Sequence, residues 1–302
     1  MKKTIFVSII AAIFTITGCG SSNSDKQSSN SQPLTTVSKE TQALAKSILF
    51  QGRLSDNLSS SKQMTQGHSV RALTPSDARN QVEDCANGGT MTTTFLDSID
   101  PYDPNFNPDD LNMSNFSTAI RMVYDNCLDE GVLTDGIMEF NTTIAGQKMV
   151  TSMTYLSDFT LRDGNEAFKI LKGSTLLDEM VDETKFVTTE TMTVFIGDEK
   201  YETNALKTVS VFDEAHNQLQ FYMVSGEERL GGESYRIDES YDASKTPMVI
   251  DSNGDLRKGG KFRYIDAQNH IITLEVTEKN QVTVSIDTDG DGKVDEEETM
   301  AL

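Results

Sequence analysis

Tryptophan is absent from the 302 residues, so Phe and Met must fill much of any core. Histidine occurs only at His68, His216 and His270. None of the three has a companion at the spacing of a zinc site. There is no Gly-x-Ser-x-Gly elbow, no His-Glu-x-x-His pair and no phosphate-cradling glycine loop. Those absences exclude the hydrolases, metalloproteases and nucleotide enzymes that such motifs define. Cationic residues are scarce: 26 Lys and Arg stand against 47 Asp and Glu. A surface of that sign repels phosphate backbones, so nucleic acid is excluded as a partner. It also disfavours adsorption to anionic headgroups. With so many carboxylates, any two can be imagined as a glycosidase pair, and that idea discriminates nothing. Long apolar runs are missing too. The N-terminal run, 4–16, is too short for a bilayer core of about 30 Å, which takes about 20 residues.

What is present begins at that terminus. Met1-Lys2-Lys3, the apolar run and then Ile16-Thr17-Gly18-Cys19 have the layout of an export signal. Ile-Thr-Gly-Cys resembles the lipobox of bacterial lipoproteins. The resemblance implies cleavage before Cys19 and acylation of its thiol and new amino group. Residues 1–18 are then a signal peptide, and their loss leaves 24 basic residues against 47 acidic ones, a net charge of −23. Gly20 and Ser21 follow Cys19 with no aspartate. By the sorting pattern of enteric bacteria this resembles outer-membrane lipoproteins.

Residues 19–40 are rich in Ser, Asn and Gln with almost nothing to bury, which makes them a flexible, lipidated tether. Residues 41–81 read as a short helix, with Leu44, Ile48 and Leu49 on one side, and an irregular Ser- and Gln-rich stretch. Two cysteines remain, Cys85 and Cys127, an even pair in an exported chain, where a disulfide is favoured. Glu83, Asp84, Asp125 and Asp129 flank them and raise a thiol pKa. A structural bridge therefore fits better than redox chemistry.

From about Val82 to the end, β-branched and aromatic runs alternate with Gly, Asn and Asp breaks, the spacing of an antiparallel meander. Strands are expected at 90–96, 117–124, 136–143, 147–157, 186–196, 203–213, 217–224, 233–239, 261–265, 270–277 and 281–286. Hairpin turns are expected at 213–217, 266–269 and 278–280. Lys169 to Met180 is expected to be a helix on the sheet. The expected fold is mainly β, an antiparallel meander forming a curved sheet, half-barrel or sandwich with one or two short helices. Met138, Met149, Met153, Met192 and Met223 fall on these strands and read as core filler. Cys85-Ala-Asn-Gly-Gly-Thr, then Asn126-Cys127 and a further strand, resembles a pattern in uncharacterised bacterial envelope lipoproteins. It implies a disulfide-pinned sheet.

One segment carries chemistry. Asp287-Thr-Asp289-Gly-Asp291-Gly292-Lys293-Val294-Asp295-Glu-Glu-Glu298 resembles the calcium loop of EF-hands over all 12 positions. The resemblance puts Asp287, Asp289 and Asp291 at positions 1, 3 and 5, with Gly292 at the sharp turn. Lys293 offers its carbonyl, Asp295 reaches through water, and Glu298 supplies the closing carboxylate. Val294 is expected to tuck the loop against the body. The entering element is a strand rather than a helix, which argues against a sensor that opens a groove. Asp251-Ser-Asn253-Gly-Asp255-Leu256 is a weaker echo without the position-6 glycine, and reads as an Asx-rich turn.

The sequence therefore points to a lipid-anchored protein of the bacterial envelope, on the outer membrane. Its role reads as non-catalytic binding or structure, not as an enzyme, with Ca²⁺ as the cofactor. A protein or an apolar ligand is the open partner. The alternatives are a carrier, in which a curved sheet holds a lipid or other apolar ligand, and a hydrolase with a polar cleft.

Overall fold

The computed structural model describes residues 80–96, 115–129, 131–146, 148–163, 166–182, 184–213 and 215–301. The expected signal peptide, Cys19, the expected tether and the short helix expected within 41–81 lie outside them. Among the described residues, every strand pairing that is defined residue by residue is antiparallel. The only helical turn there is a 3-10 turn at Ala243–Lys245. The expectation of a mainly β, antiparallel meander holds. The strands fall into two compact units, divided between Ala205 and Leu206.

The first unit contains β1 (Asn80–Asp84), β2 (Thr90–Phe95), β3 (Asn115–Asp129), β4 (Val132–Ala145), β5 (Lys148–Tyr155), β6 (Phe159–Asp163), β7 (Glu166–Ile170), β8 (Thr175–Met180) and β9 (Lys185–Ile196). It also holds the start of β10 (Glu199–Asp213). Two of these strands change partner along their length. β4 pairs with β6 through 132–135 and with β5 through 138–145. β9 pairs with β8 through 186–191 and with β7 through 194–196. With the β6–β7 and β5–β8 ladders, six strands close into a ring. Gly136 sits where β4 changes partner, with φ of +135°, and a Cβ there would lie 2.8 Å from Phe159 Cα. Glycine allows both the backbone angle and the close approach. Met138, Tyr155, Phe159, Leu176, Met192 and Val194 are buried here. Phe159 packs edge-on to Tyr124 and tilted against Tyr155, centroids 5.6 and 5.4 Å away. Burial pushes both tyrosine hydroxyls well above their usual range.

Register explains the alternation seen in the sequence. On β4 the even positions are mostly inward and the odd ones mostly wet, as expected of a sheet with one solvated face. The outer face carries polar pairs such as Arg121–Glu139 at 3.1 Å. The inner face carries a polar row as well. Thr118, Thr142, Thr151, Asp178 and Thr188 are direct cross-strand partners over β3, β4, β5, β8 and β9. Thr118, Thr142 and Thr188 are buried, and Thr151 and Asp178 are half-buried. The Thr142 and Thr151 hydroxyls share a hydrogen bond of 3.1 Å, and Thr188 Oγ1 donates to Asp178 Oδ1 at 3.0 Å.

Burial raises the Asp178 carboxyl to about 6, against the opposing pull of the Thr188 hydrogen bond. The folded chain thus binds this proton more tightly than the unfolded chain does. The resulting stability is full below the unfolded pKa near 4 and is lost as pH rises through about 6. A tenfold difference in proton affinity corresponds to about 1.4 kcal/mol, so the expected loss is about 2 kcal/mol for this half-buried group. Asp178→Asn should therefore raise stability at pH 7.5 by about that amount and change it little at pH 4. Urea melts at the two pH values check this; equal effects at both would reject it.

The second unit contains the rest of β10, then β11 (Gln218–Leu230), β12 (Glu233–Ile237), β13 (Met248–Ile250), β14 (Leu256–Arg257), β15 (Lys261–Asp266), β16 (Ile271–Glu278), β17 (Gln281–Asp287) and β18 (Glu296–Ala301). β11 pairs with β13 near its start and with β12 near its end. β12, β15, β16, β17 and β18 follow as successive partners. Phe221, Met248, Leu256, Phe262, Tyr264 and Ile272 are fully buried. Side chains of this kind each contribute about 1.5–3 kcal/mol when removed from water. Met138, Met153, Met192 and Met223 lie in the cores, as expected of filler, and Met149 is half-buried.

The helix expected over 169–180 does not form. That segment is the end of β7, a turn over 171–174 and β8. Its Leu, Lys, Asp, Glu and Met favour a helix in isolation, but Leu176, Asp178 and Met180 each find partners on β5 and β9. Pairing on two sides outweighs propensities that differ by only about 0.7 kcal/mol per residue. The expected turns are in place, with Asn217, Asn269 and Asn280 at positive φ of 50°, 68° and 53°. Asn tolerates that region better than most side chains.

Candidate metal centre

The segment 287–298 folds as the tip and second arm of the β17–β18 hairpin. β17 ends at the buried Asp287, and β18 returns from Glu296. Between them, Asp287 closes the loop by accepting from two backbone amides, Gly290 N–H at 2.7 Å to Oδ1 and Gly292 N–H at 2.9 Å to Oδ2. A short acceptor facing amides two to five residues on is the reason Asp recurs in such turns. Gly292 adopts φ of +83°, the conformation that the expected sharp turn requires.

Asp287, Asp289 and Asp295 converge, with one carboxylate oxygen from each within 4.8 Å of the others. Asp287 is buried and the other two are exposed. Asp295 is held by Thr288, whose backbone N–H donates at 2.8 Å and whose hydroxyl donates at 2.5 Å. These bonds keep the Asp295 carboxyl below the usual carboxylate range. Asp289 accepts from the Asp291 amide at 3.1 Å. Three anionic oxygens at this separation suit a hard cation, which takes carboxylate and carbonyl oxygens at about 2.3–2.6 Å.

The remaining positions are arranged differently from a helical calcium loop. Asp291 lies outside the converging group, its carboxylate bonded to the Lys293 amide at 2.8 Å and the Lys293 ammonium at 2.5 Å. Glu298 lies in β18 directly opposite Val284, on the strand face opposite to that of Asp287. Val294 was expected to pack against the body and is instead 54% exposed. A hairpin arm in place of an exiting helix accounts for these differences. The period of two sets the direction of Glu298, and a strand carries it away from the loop along its ladder. Thr288, which orients Asp295, gave no signal in the sequence because it stands at a non-ligand position.

The weaker echo is a turn between β13 and β14. Asp251 Oδ1 accepts from the Asn253 and Asp255 amides at 2.9 and 3.2 Å. Its carboxylates face cations of the chain, Arg257 at 3.3 Å from Asp251 and Lys279 at 2.6 Å from Asp255. In the first unit, Cys85 and Cys127 are bonded to each other, with Cα atoms 5.4 Å apart. The chain-entropy model gives about 4 kcal/mol for closing a loop of this length. No family model matches the chain, and no curated protein and no solved structure is significantly similar to it. The fold and the acidic hairpin tip thus define a class, an antiparallel β protein with a candidate cation loop.

Proposed function

We propose that this chain is a lipid-anchored envelope protein with a non-catalytic binding or structural role, stabilised by calcium at its C-terminal hairpin. The observation that carries the calcium reading is the convergence of Asp287, Asp289 and Asp295 within 4.8 Å, inside a segment with calcium-loop spacing. Asp291, Lys293 and Glu298 complete the ligand set that the sequence resemblance implies, the lysine through its carbonyl. The anchor reading rests on the sequence ending at Cys19. It puts the protein on the outer membrane, attached by acyl chains.

The test is thermal melting of the purified protein in excess EDTA and in about 10 mM calcium, with Asp289→Ala alongside. Extracellular calcium modules bind at about 10⁻⁴–10⁻³ M, so that concentration corresponds to about 1.5–3 kcal/mol. A rise in Tm of about 3–10 °C is expected. Asp289→Ala should lose it. An unchanged Tm, or a rise that survives Asp289→Ala, would reject the site.

A second reading, a carrier of a lipid or other apolar ligand, is favoured by one feature. At the end of the inner face, Ile144, Met149, Met180 and Phe186 are successive cross-strand partners. The last three are only half-buried. Contiguous apolar surface of this kind commonly marks a binding site.

A further inference from the structure

The same inner face carries a feature that narrows the chemistry of such a ligand. Three cross-strand rows succeed one another over β4, β5, β8 and β9. The first is Phe140, Met153, Leu176 and Glu190, and the second is Thr142, Thr151, Asp178 and Thr188. The third is the apolar row of Ile144, Met149, Met180 and Phe186, the last three half-buried. Strands lie about 4.8 Å apart, so the polar row, extended to Thr118 on β3, spans about 19 Å. Over β4, β5 and β8 it is bounded by large apolar side chains on both sides. The groups facing Asp178 are Thr151 from β5 and Thr188 from β9, with Glu190 one inward position further along β9. Glu179, beside Asp178 in sequence, points to the other face.

No lysine, arginine or histidine forms an ion pair with Asp178 among the described residues. A half-buried carboxylate between apolar rows is costly to ionise unless a cation comes to it. Hydroxyls on both neighbouring strands can accept as well as donate.

From this arrangement we infer that the inner face of the first unit binds an amphiphile with a protonated amine. The ammonium sits on Asp178 and the Thr142, Thr151 and Thr188 hydroxyls, and the chain lies on Met149, Met180 and Phe186. This deepens the carrier reading and rests on it. Charge complementarity selects the occupant: the row offers one carboxylate, Asp178, and hydroxyls, and it holds no cation. A fatty carboxylate would meet Asp178 as a like charge.

Isothermal titration of the purified full-length chain with octylammonium at pH 7.5 tests this, with octanoate and octanol in parallel. One saturable site for octylammonium is expected, with octanol at least tenfold weaker and octanoate not binding. Asp178→Asn should weaken octylammonium at least tenfold while keeping the fold, since the substitution removes a charge that opposes folding at this pH. Met180→Lys, at the apolar row, should weaken it as well. Glu179→Gln, exposed on the other face of β8, should leave binding intact, which separates this site from general attraction to an acidic surface. Equal binding of octylammonium and octanol, or no effect of Asp178→Asn, would overturn the amine assignment and leave the carrier reading standing. Failure of all three probes to bind would overturn both.

Discussion

Asp238→Ala is expected to destabilise the protein by about 3 kcal/mol, measured by urea unfolding. Asp238 follows β12 and its side chain is only 5% exposed. Its Oδ2 lies 3.2 Å from an Arg263 guanidinium nitrogen. Its Oδ1 accepts from the Ser240 amide at 3.0 Å and the Ser240 hydroxyl at 2.5 Å. Arg263 in turn lies over the Tyr241 ring, 5.3 Å from its centroid, and the Tyr241 hydroxyl bonds Thr246 at 2.6 Å. The carboxylate therefore ties the 238–246 connection to β15. Removing one partner of a buried pair costs about 3–5 kcal/mol because the other charge is left without compensation. The lower figure applies because Arg263 is 29% exposed and can recruit water. Asp238→Ala with Arg263→Met should cost clearly less than Asp238→Ala alone, since no charge is then stranded. A loss below about 1 kcal/mol for the single variant, or additive losses in the double one, would show that the pair does not hold this connection.

Gly89→Ala is expected to cost at least about 3 kcal/mol, whereas Gly88→Ala should cost about half as much. Both glycines have positive φ, 125° and 76° for Gly88 and Gly89, so either alanine is strained by about 1–2 kcal/mol. Only Gly89 also faces a collision: a Cβ there would stand 1.9 Å from the Asn126 carbonyl oxygen and 2.6 Å from that of Asp125. Gly88 has nothing within 4 Å. The colliding atoms are backbone, held by the Leu128 amide to Gly88 carbonyl bond of 2.8 Å and the Asn87 amide to Leu128 carbonyl bond of 2.9 Å. The neighbouring Cys85–Cys127 bridge pins the same two segments. Relief requires moving the β1–β2 turn away from β3, and overpacking of that kind costs about 1–3 kcal/mol more. Denaturant melts of the two variants decide the matter; equal losses would mean that the turn shifts freely.

Gly88 and Gly89 illustrate how the sequence was readable in part. The pair belonged to a pattern whose likeness to disulfide-pinned sheets anticipated a bridge between Cys85 and Cys127. The reason for glycine at the second position lies 37 residues away, in a carbonyl that local sequence does not place. The strands of long alternation, such as 186–196 and 261–265, were evident because each buries one face. The short ones were not: Phe159–Asp163, Met248–Ile250 and Leu256–Arg257 are strands by virtue of their partners. The acidic Glu296–Ala301 read as the end of a loop, and its ladder with β17 makes it a strand.

Local chemistry alone determined the β class, the Asn-bearing turns, the methionine filling and the acidic loop with its glycine at 292. These follow from periodicity and from backbone angles that few residues tolerate, both of which are local. Tertiary structure decided which strands share partners, and therefore which distant residues meet. It made a strand of Thr175–Met180, turned Glu298 away from Asp287 and brought Asp295 to it. It also aligned Thr118, Thr142, Thr151, Asp178 and Thr188 across five strands. Register is a long-range property: a slip of one residue would send each of these side chains to the opposite face.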